Sequence, residues 1–408
     1  MGLISLFEGI RLGLEAVSPL SLSEVVPITE GVGRFLKSEV RARRNSPPFT
    51  NAAMDGYIVN RGGRCRIKGK ILAGDSVEGV EVKEGECFYI ATGAPVPSGG
   101  RFIAIWEQVE VEGEWAKIPD LPPGANIRPE GEEFHRGDTL LKPGEEVTPE
   151  AVLALAGQGI DWIEVYKPVS VAVIPTGNEL AEPYEEAGRY QLYNSNGYGV
   201  AALLRQFSFK TTLLPPLSDR LEEIEKRVEE AVERFDAVIT IGGASKGKAD
   251  HLQQVLERVG VEWVFRGLNL KPGKPTLLGL VNGKPVISLP GNLLSSYLNA
   301  YLVALPLLRR LGGSCRPLPS HLQLEVGESF KANPKKDHII LGRIEGGQFF
   351  PYRGYRYGSG MVTPLLHSNS YALLPAGSGG GRVGEPIVVI PFRGPFVPVE
   401  ESFLTLFS

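Results

Sequence analysis

The chain has 408 residues, of which 42% are hydrophobic and 22% are charged, a composition typical of folded globular protein. At roughly 100–200 residues per domain, this length predicts about two to four domains. The net charge of −4 argues against a bulk attraction to nucleic acid or to an anionic membrane, although a local basic site for a small anion is compatible with it.

The cysteines and histidines predict neither a disulfide framework nor a structural zinc site. Cys65, Cys87 and Cys315 are odd in number and form no CxxC pair. The histidines are scattered without ligand spacing, so we interpret them as structural or surface residues. Such sparse use of cysteine favours a reducing, cytoplasmic location. No apolar run is long enough to span a bilayer, so no membrane association is expected.

The N-terminal segment predicts an amphipathic helix rather than a signal peptide. Charged residues interrupt its apolar stretch, and no small-residue cleavage site follows cleanly. The apolar positions recur at helical spacing: Leu3, Phe7, Ile10, Leu14 and Val17.

Residues 27–146 predict a strand-rich insert, because short apolar runs such as RIKGKILAG and ECFYIAT alternate with Gly/Pro-rich turns. Thr148-Pro149-Glu150 then predicts a helix start, with Thr148 as the cap and Pro149 in the first turn. We expect this second helix to pack against the N-terminal one, so that two separated segments form one helical domain.

Residues 169–315 predict an α/β domain with a parallel sheet covered on both faces. The runs VSVAVI, AVITI and PVISL alternate with helical patterns, such as the apolar positions from Leu221 to Val232. Asp219 with Glu222 resembles a capping box at the start of that helix. Beyond about residue 316, runs such as HIILGRIE and PIVVIPF predict a small antiparallel β-domain.

Chemistry is expected at four loops of the α/β segment: TGNE at 176–179, GGASKGKAD at 242–250, KPGKP at 271–275 and LPGN at 289–292. Loops at the C-terminal ends of parallel strands emerge along one edge, where doubly wound folds bind ligands. Glycines and helix N-termini suit an anion. Donors for an oxyanion come from Ser245, Lys246, Lys248, Lys271 and Lys274. Glu179, Asp250 and Asp219 offer hard oxygen ligands for Mg²⁺.

Structural interpretations stand beside these. From the residues alone, Asp219 is better explained as a helix cap than as a ligand. Asp55 and Ser359 lie in sequences typical of turns, where Asp bonds its own backbone. Lys248, Lys271 and Lys274 are each compatible with a solvated surface role.

Ordered motifs along nearly the whole chain resemble the MoeA/gephyrin family of molybdopterin molybdenumtransferases. PPFTNAAMDGY at 47–57 is similar to the long family signature PPF-x-N-S/A-A-M-D-G-Y/F-A. TGAPVP at 92–97, Glu107 and NIRPEGEE at 126–133 resemble the next family blocks. TGNEL, the GGASKGKAD loop, KPGKP and LPGN follow in the family order, and the stretch with Arg343, Ser359 and a terminal PF is a weaker match.

The resemblance implies a multidomain α/β plus β fold with four domains. These are a helical linking domain (1–26 and 147–168), the strand-rich insert (27–146), a doubly wound molybdopterin-binding α/β domain (169–315) and a small C-terminal β-barrel (316–408). It also implies a homodimer whose active-site cleft lies between subunits, with the Met54–Tyr57 loop facing the partner's α/β crevice. Contact with other proteins of cofactor biosynthesis is compatible with it.

The implied reaction inserts molybdenum from molybdate into the dithiolene of adenylylated molybdopterin and releases AMP, with Mg²⁺ as the usual divalent cation. By motif position the catalytic carboxylates are Asp55, Asp219 and Asp250. The substrate-binding residues are Thr92, Glu179, Ser245, Lys271, Lys274, Pro290, Arg343 and Ser359, and the metal ligands are Glu179 and Asp250.

Departures from the family pattern bear on activity. Glu133 stands where Asp is frequent, Leu293 replaces a second proline, and Lys246 and Lys248 make the crevice more basic. These changes are compatible with a tuned choice between molybdate and tungstate or with weakened activity.

Two other functions compete. A molybdopterin adenylyltransferase of the related stand-alone α/β fold would carry a Gly-Gly-Thr-Gly loop and leave the other domains unexplained. A non-catalytic gephyrin-like scaffold would be favoured by an added partner domain or a long disordered linker, and the sequence has neither.

Overall fold

The computed structural model describes residues 2–242 and 249–393, with the side chains of all of these except 249–251. Ser245, Lys246 and Lys248 therefore lie outside the described residues, as does the side chain of Asp250. None of the helices in the described ranges combines the length and the apolar character needed to cross a membrane.

Short strands dominate the segment up to residue 168. Its elements are α1 (Leu6–Ala16), β1 (Ser23–Pro27), a 3-10 helix (Ile28–Gly31), β2 (Val40–Arg41), β3 (Asn51–Ala52), β4 (Gly56–Val59), β5 (Gly63–Ile71), β6 (Glu86–Ile90), β7 (Phe102–Ile105), a 3-10 helix (Trp106–Gln108), β8 (Glu110–Glu112), β9 (Trp115–Ile118), β10 (Ile127–Arg128), β11 (Thr139–Leu141), α2 (Pro149–Gly157) and β12 (Trp162–Tyr166).

The predicted N-terminal helix is present as α1, and three of the five predicted apolar positions pack against the core: Ile10, Leu14 and Val17. Leu3 and Phe7 are exposed, whereas Gly9 and Gly13 are buried. A Cβ at Gly9 would lie 2.6 Å from a methyl group of Leu268. Apolar spacing alone did not predict the contacts at Gly9 and Gly13, because a close approach there depends on the absence of a side chain.

The insert is built on a six-stranded sheet with the order β7-β4-β6-β5-β9-β8. Gly56, the first residue of β4, pairs with Ile90 at the end of β6 and with Ile105 at the end of β7. The loop before β4 and the loops after β6 and β7 therefore lie side by side at one end of the sheet.

The segments on either side of the insert are joined by a strand pair. β1 runs antiparallel to β12, from Ser23 opposite Tyr166 to Pro27 opposite Trp162. The predicted start of α2 is confirmed, because the Thr148 hydroxyl accepts the Ala151 N–H at 3.2 Å.

The next segment alternates strands and helices. Its elements are β13 (Ser170–Pro175), β14 (Leu180–Ala181), β15 (Leu192–Tyr193), α3 (Ser195–Gln206), β16 (Lys210–Leu213), α4 (Leu221–Arg234), β17 (Ala237–Ile241), α5 (Ala249–Arg258), β18 (Glu262–Arg266), β19 (Leu270–Lys271), β20 (Leu277–Val281), β21 (Lys284–Leu289), α6 (Leu293–Asn299), a π-helical segment (Ala300–Ala304) and α7 (Leu305–Leu311).

Six of these strands form one sheet with the order β16-β13-β17-β21-β20-β18, while β14 and β15 pair separately. The first four are parallel, as predicted, whereas β20 is antiparallel to both neighbours, so that β18 again runs in the direction of β21. α4 and α5 cover one face, while α3, α6 and α7 cover the other. The predicted doubly wound α/β class is confirmed, with a reversed strand near one edge.

The expected packing of α1 against α2 is wrong. α1 contacts α7 and β18, and Leu6 and Val17 belong to the core of the α/β sheet. The core around α2 is separate and contains Val26, Leu155 and Val165.

The C-terminal segment closes into a barrel. Its elements are β22 (Leu322–Val326), β23 (Phe330–Lys331), β24 (Asp337–Glu345), β25 (Gln348–Pro351), a 3-10 helix (Tyr352–Tyr355), α8 (Thr363–Leu366), β26 (Ser370–Leu374), β27 (Gly380–Gly381) and β28 (Pro386–Pro391). The ring runs β24-β25-β22-β28-β26 and returns to β24. The predicted barrel is confirmed, and β22 with β25 is a parallel pair within an otherwise antiparallel ring. β19 of the preceding segment adds to it alongside β24.

Candidate functional site

Three of the four glycine-bearing loops are in contact at the C-terminal edge of the parallel strands. Thr176 follows β13, Gly242 follows β17 and Gly291 lies just after β21. Gly242 has φ +99°, and a Cβ there would overlap the Thr176 carbonyl oxygen. A Cβ at Gly291 would lie 3.5 Å from the Gly242 Cα. The absence of a side chain at Gly242 lets its loop approach Thr176, while Gly291 lies within ordinary contact distance of Gly242, so that the three loops form one crevice.

A small cavity of about 50 Å³ lies where these loops meet, and Glu179, Tyr193 and Asn196 are among its lining residues. β16 and β17 flank β13 on opposite sides, so this cavity lies at the switch point of the sheet, the usual ligand site of such folds. A space of this size holds about one or two water molecules. A larger ligand would therefore bind across the open edge above it.

Three asparagines for which no role was predicted hold the loops of the crevice in place. The Asn178 Oδ1 accepts the Asp219 N–H at 3.1 Å, and the Asn196 Nδ2 donates to the Gly291 carbonyl at 2.6 Å. Asn194 caps α3 by accepting the Gly197 N–H at 3.1 Å. The run Asn-Ser-Asn before a helical pattern is a capping signal that would have pointed to this segment.

The capping box predicted at Asp219 is wrong. α4 begins at Leu221, and the residue before it is Arg220, whose side chain makes no capping hydrogen bond. The backbone of Asp219 is instead bound by Asn178, which places the residue beside the loop that carries Glu179.

The KPGK loop lies at the same edge of the sheet but farther along it. The loop begins near the end of β18, which is the second strand from β21 in the sheet. At the usual spacing between neighbouring strands, β18 and β21 are about 10 Å apart. The Asn299 Nδ2 donates to the Pro272 carbonyl at 3.3 Å, which rests the loop on the end of α6. The side chains of Lys271 and Lys274 are exposed, and the Lys271 Nζ lies 5.7 Å from the centre of the Tyr355 ring.

Ser359 joins the barrel to the crevice. Its hydroxyl accepts a hydrogen bond from the Asn292 Nδ2 at 3.1 Å, and its carbonyl accepts the Leu294 N–H at 3.0 Å. Pro290, in the same loop as Asn292, is buried.

Arg343 lies apart from these loops. It is exposed on β24 and pairs with Glu345 at 3.6 Å. Within the part of the chain that the structure describes, it forms no hydrogen bond or ion pair with a crevice loop.

Asp55 and Thr92 form a second polar group, at the end of the insert sheet. The Asp55 Oδ1 accepts both the backbone N–H and the hydroxyl of Thr92, each at 2.7 Å. These hydrogen bonds hold the pKa of the exposed Asp55 carboxyl below its ordinary value, the backbone bond contributing most. Neither residue hydrogen-bonds to a crevice loop within the described ranges.

Of the two predicted metal ligands, the structure describes the side chain of Glu179 but not that of Asp250. Ser245 and the side chain of Asp250 fall outside the described residues. Among the side chains that the structure does describe, no group of three or more histidine, cysteine, aspartate or glutamate residues could hold a metal ion. Glu179 is exposed at the crevice and available as a ligand.

Fold and crevice together define a multidomain protein built around an α/β ligand-binding module with a barrel attached to its site. Three family models match it in order. They are described as the MoeA N-terminal region (domain I and II), at residues 4–159, a "Probable molybdopterin binding domain", at 172–310, and the MoeA C-terminal region (domain IV), at 323–392.

Whole-length relatives agree with the family models. The molybdopterin molybdenumtransferase of Haemophilus influenzae is 30% identical over 91% of this chain and 94% of its own length. That of Staphylococcus aureus is 29% identical over 90% of each chain. The crystal structure of the molybdopterin biosynthesis MoeA protein of Pyrococcus horikoshii superposes with a TM-score of 0.83 at 25% identity, covering 96% of this chain and 100% of that one. The chain belongs to the molybdopterin molybdenumtransferase family.

Proposed function

We propose that this protein inserts molybdenum from molybdate into the dithiolene of adenylylated molybdopterin and releases AMP, with Mg²⁺ present. The observation that carries the proposal is the match to a molybdopterin molybdenumtransferase along nearly the whole of both chains. We assign that reaction to the crevice between Thr176, Gly242 and Gly291, because glycine-lined strand ends accommodate phosphate groups.

The donors around the crevice suit an oxyanion substrate. Molybdate is a tetrahedral dianion, and Lys271, Lys274 and Ser359 lie on loops at or next to the crevice edge. In the proposed reaction these residues, with Ser245, Pro290 and Arg343, bind the phosphates or the oxyanion. The loop that contains Pro290 is held by the hydrogen bond from Asn292 to Ser359. Pro290 would therefore contribute a fixed stretch of backbone to the binding site.

The Glu179 carboxylate at the crevice supports a site for a divalent cation. Glu179 is exposed beside the cavity, and carboxylate oxygens are the ligands that Mg²⁺ prefers. We assign the cation to Glu179 and Asp250, and Asp219 to a neighbouring catalytic position. When bound, Mg²⁺ would neutralise negative charge on the phosphates of the substrate.

The position of Asp55 and Thr92 supports a homodimer. Both are exposed and have no hydrogen bond to a crevice loop of their own chain within the described residues. In the proposed assembly they face the partner subunit's crevice, and Asp55 enters it as an ionised carboxylate. The proposed setting is the cytoplasm, and other cofactor-biosynthesis proteins are proposed as transient partners.

The test is an incubation with adenylylated molybdopterin, molybdate and Mg²⁺, following AMP release. We expect Asp55→Asn to abolish release while the fold is retained, because Asp55 lies in an exposed loop. Asp75→Asn is the matched control, since Asp75 is an exposed carboxylate of the same insert that accepts a backbone N–H from Leu72 at 2.7 Å. Undiminished release by Asp55→Asn would reject its assigned role, and full activity in chelator would reject the metal assignment.

A further inference from the structure

Trp106 is an exposed aromatic residue directly beside Asp55. It follows β7, and its backbone N–H donates to the Asp55 carbonyl at 3.2 Å. Because Gly56 pairs with Ile105 on one side and with Ile90 on the other, Asp55 lies between the Trp106 loop and the Thr92 loop. Trp106 is 59% exposed. An exposed indole is thus carried by the residue whose backbone is hydrogen-bonded to Asp55.

Within the described residues, the hydrogen bonds that orient the Asp55 carboxylate end on one of its two oxygens. Both hydrogen bonds from Thr92 end on Oδ1. Across the described residues, Oδ2 accepts no hydrogen bond. The carboxylate is therefore fixed in direction while its second oxygen remains open to a ligand.

An exposed indole and a carboxylate oxygen without a hydrogen-bond partner among the described residues could bind a planar ring through two interactions, stacking and a hydrogen bond. The indole face can stack on a planar heteroaromatic ring. A ring N–H or amino group can donate to the ionised carboxylate in a charge-assisted hydrogen bond. We propose that Trp106 and the Asp55 Oδ2 together bind a planar, amino-substituted heteroaromatic ring of the substrate. This inference rests on the proposed function, in which the substrate contains both a pterin and an adenine.

The residues around Trp106 favour a ligand ring over a protein surface. Glu107, Gln108 and Thr92 are exposed and polar, and Met54 is the exposed apolar neighbour in the Asp55 loop. The centre of a protein–protein interface is depleted of charged residues. A small-molecule site combines an apolar face with a few directed polar groups, as here.

The experiment uses the full chain labelled with 5-fluorotryptophan and observed by ¹⁹F NMR. The chain has four tryptophans, so each resonance can be assigned by single substitution. Millimolar 6-hydroxymethylpterin and AMP are added separately. We expect the Trp106 resonance, and not that of Trp115, to shift with one of the two probes. A shift with the pterin assigns that ring to the site, and a shift with AMP assigns the adenine.

Kinetics with adenylylated molybdopterin provide the second readout. Since stacking on an aromatic side chain is worth roughly 1–3 kcal/mol, we expect Trp106→Leu to raise KM about tenfold with little change in kcat. Trp106→Phe should restore most of the loss because it keeps an aromatic face. Trp115→Leu is the matched control, since Trp115 is a half-exposed tryptophan of the same sheet that stacks with Arg64.

Two results would overturn the proposal directly: no shift of the Trp106 resonance with either probe, or an unchanged KM in Trp106→Leu. A Trp106→Leu chain that loses its oligomeric state would also overturn it, because the indole would then belong to a contact between subunits. A shift of the Trp106 resonance in a protein that releases no AMP would keep the ring site and reject the reaction.

Discussion

At the residue scale, the contact between Asp55 and Thr92 shows what a motif can and cannot reveal. Both residues stand out in the sequence, but 37 positions separate them, and only the sheet order β7-β4-β6 brings their loops together. The alternative in which Asp55 bonds its own backbone is not what the structure has, because its carboxylate accepts from Thr92. Local sequence could not decide between these, since turn propensity does not report on a neighbouring strand.

Thr92→Val should raise the pKa of Asp55 towards its ordinary value. The substitution removes the hydroxyl donor but keeps the backbone N–H, so only part of the shift is lost. Carboxyl ¹³C titration by NMR would measure it. Thr92→Ser keeps the hydroxyl and should leave the pKa nearly unchanged, and equal values in both variants would contradict the assigned cause.

The hydrogen bonds at Asp55 should also respond to acid with a defined sign. A carboxyl whose pKa is lowered by folding adds stability that is present above its unfolded pKa, near pH 4, and is lost as the pH falls through the lowered folded pKa. We expect the Thr92 amide proton resonance to be constant from pH 8 to pH 5 and to move only below about pH 4. A transition of this resonance between pH 5 and 7 would show that the hydrogen bonds from Thr92 do not lower the pKa of Asp55.

At the element scale, the short strands were largely predicted, but the reversed direction of β20 was not. The runs VSVAVI, AVITI and PVISL became β13, β17 and β21. The reversed β20 follows from a two-residue hairpin at Asn282-Gly283, both with positive φ. Asn-Gly between two apolar runs is the typical sign of such a hairpin, so the sequence carried this information.

Gly242→Ala should disturb the crevice. Its φ of +99° is unfavourable for alanine, and the new Cβ would overlap the Thr176 carbonyl. A loss of roughly 1–3 kcal/mol in unfolding free energy is expected, together with loss of AMP release. Urea unfolding provides the measurement.

Gly199→Ala is the matched control for that substitution. Gly199 lies in α3, and a Cβ there would have no neighbour within 4 Å. It should therefore gain up to about 1 kcal/mol from helix propensity. Equal stability of the two variants would show that the loops tolerate a side chain at their contact.

At the scale of the whole molecule, one buried carboxylate connects the two ends of the chain. Asp337 is 2% exposed, and its Oδ2 accepts the Leu6 N–H at the start of α1 at 2.7 Å. Its Oδ1 accepts the Ala376 N–H at 2.9 Å. The sequence could not show this because 331 positions separate the partners and the packed face of α1 includes two glycines, which carry no apolar signal. The domain boundaries and the homodimer stay predictions.

Asp337→Ala should lower the unfolding free energy by roughly 1–3 kcal/mol, because it removes the acceptor of the buried Leu6 N–H and of the partly buried hydrogen bond from Ala376. Asp138→Ala is the control, since Asp138 accepts the His135 N–H at 2.8 Å on the exposed surface. Denaturant unfolding of both variants would measure the difference. A cost at Asp337 no larger than at Asp138 would mean that α1 and the barrel do not depend on this carboxylate.

The strand β19 has a consequence for any attempt to divide this protein. Leu270 and Lys271 belong to the α/β segment in sequence, yet they extend the barrel by pairing with Asp337 and His338. Ile339 and Leu341 of the barrel also lie in the same core as the α/β helices. An excised fragment ending near residue 315 would therefore leave the lysine-bearing turn without its neighbouring strand and would open an apolar surface to water. The ligand affinity of such a fragment would be that of an altered crevice. Binding should therefore be measured on the full-length chain.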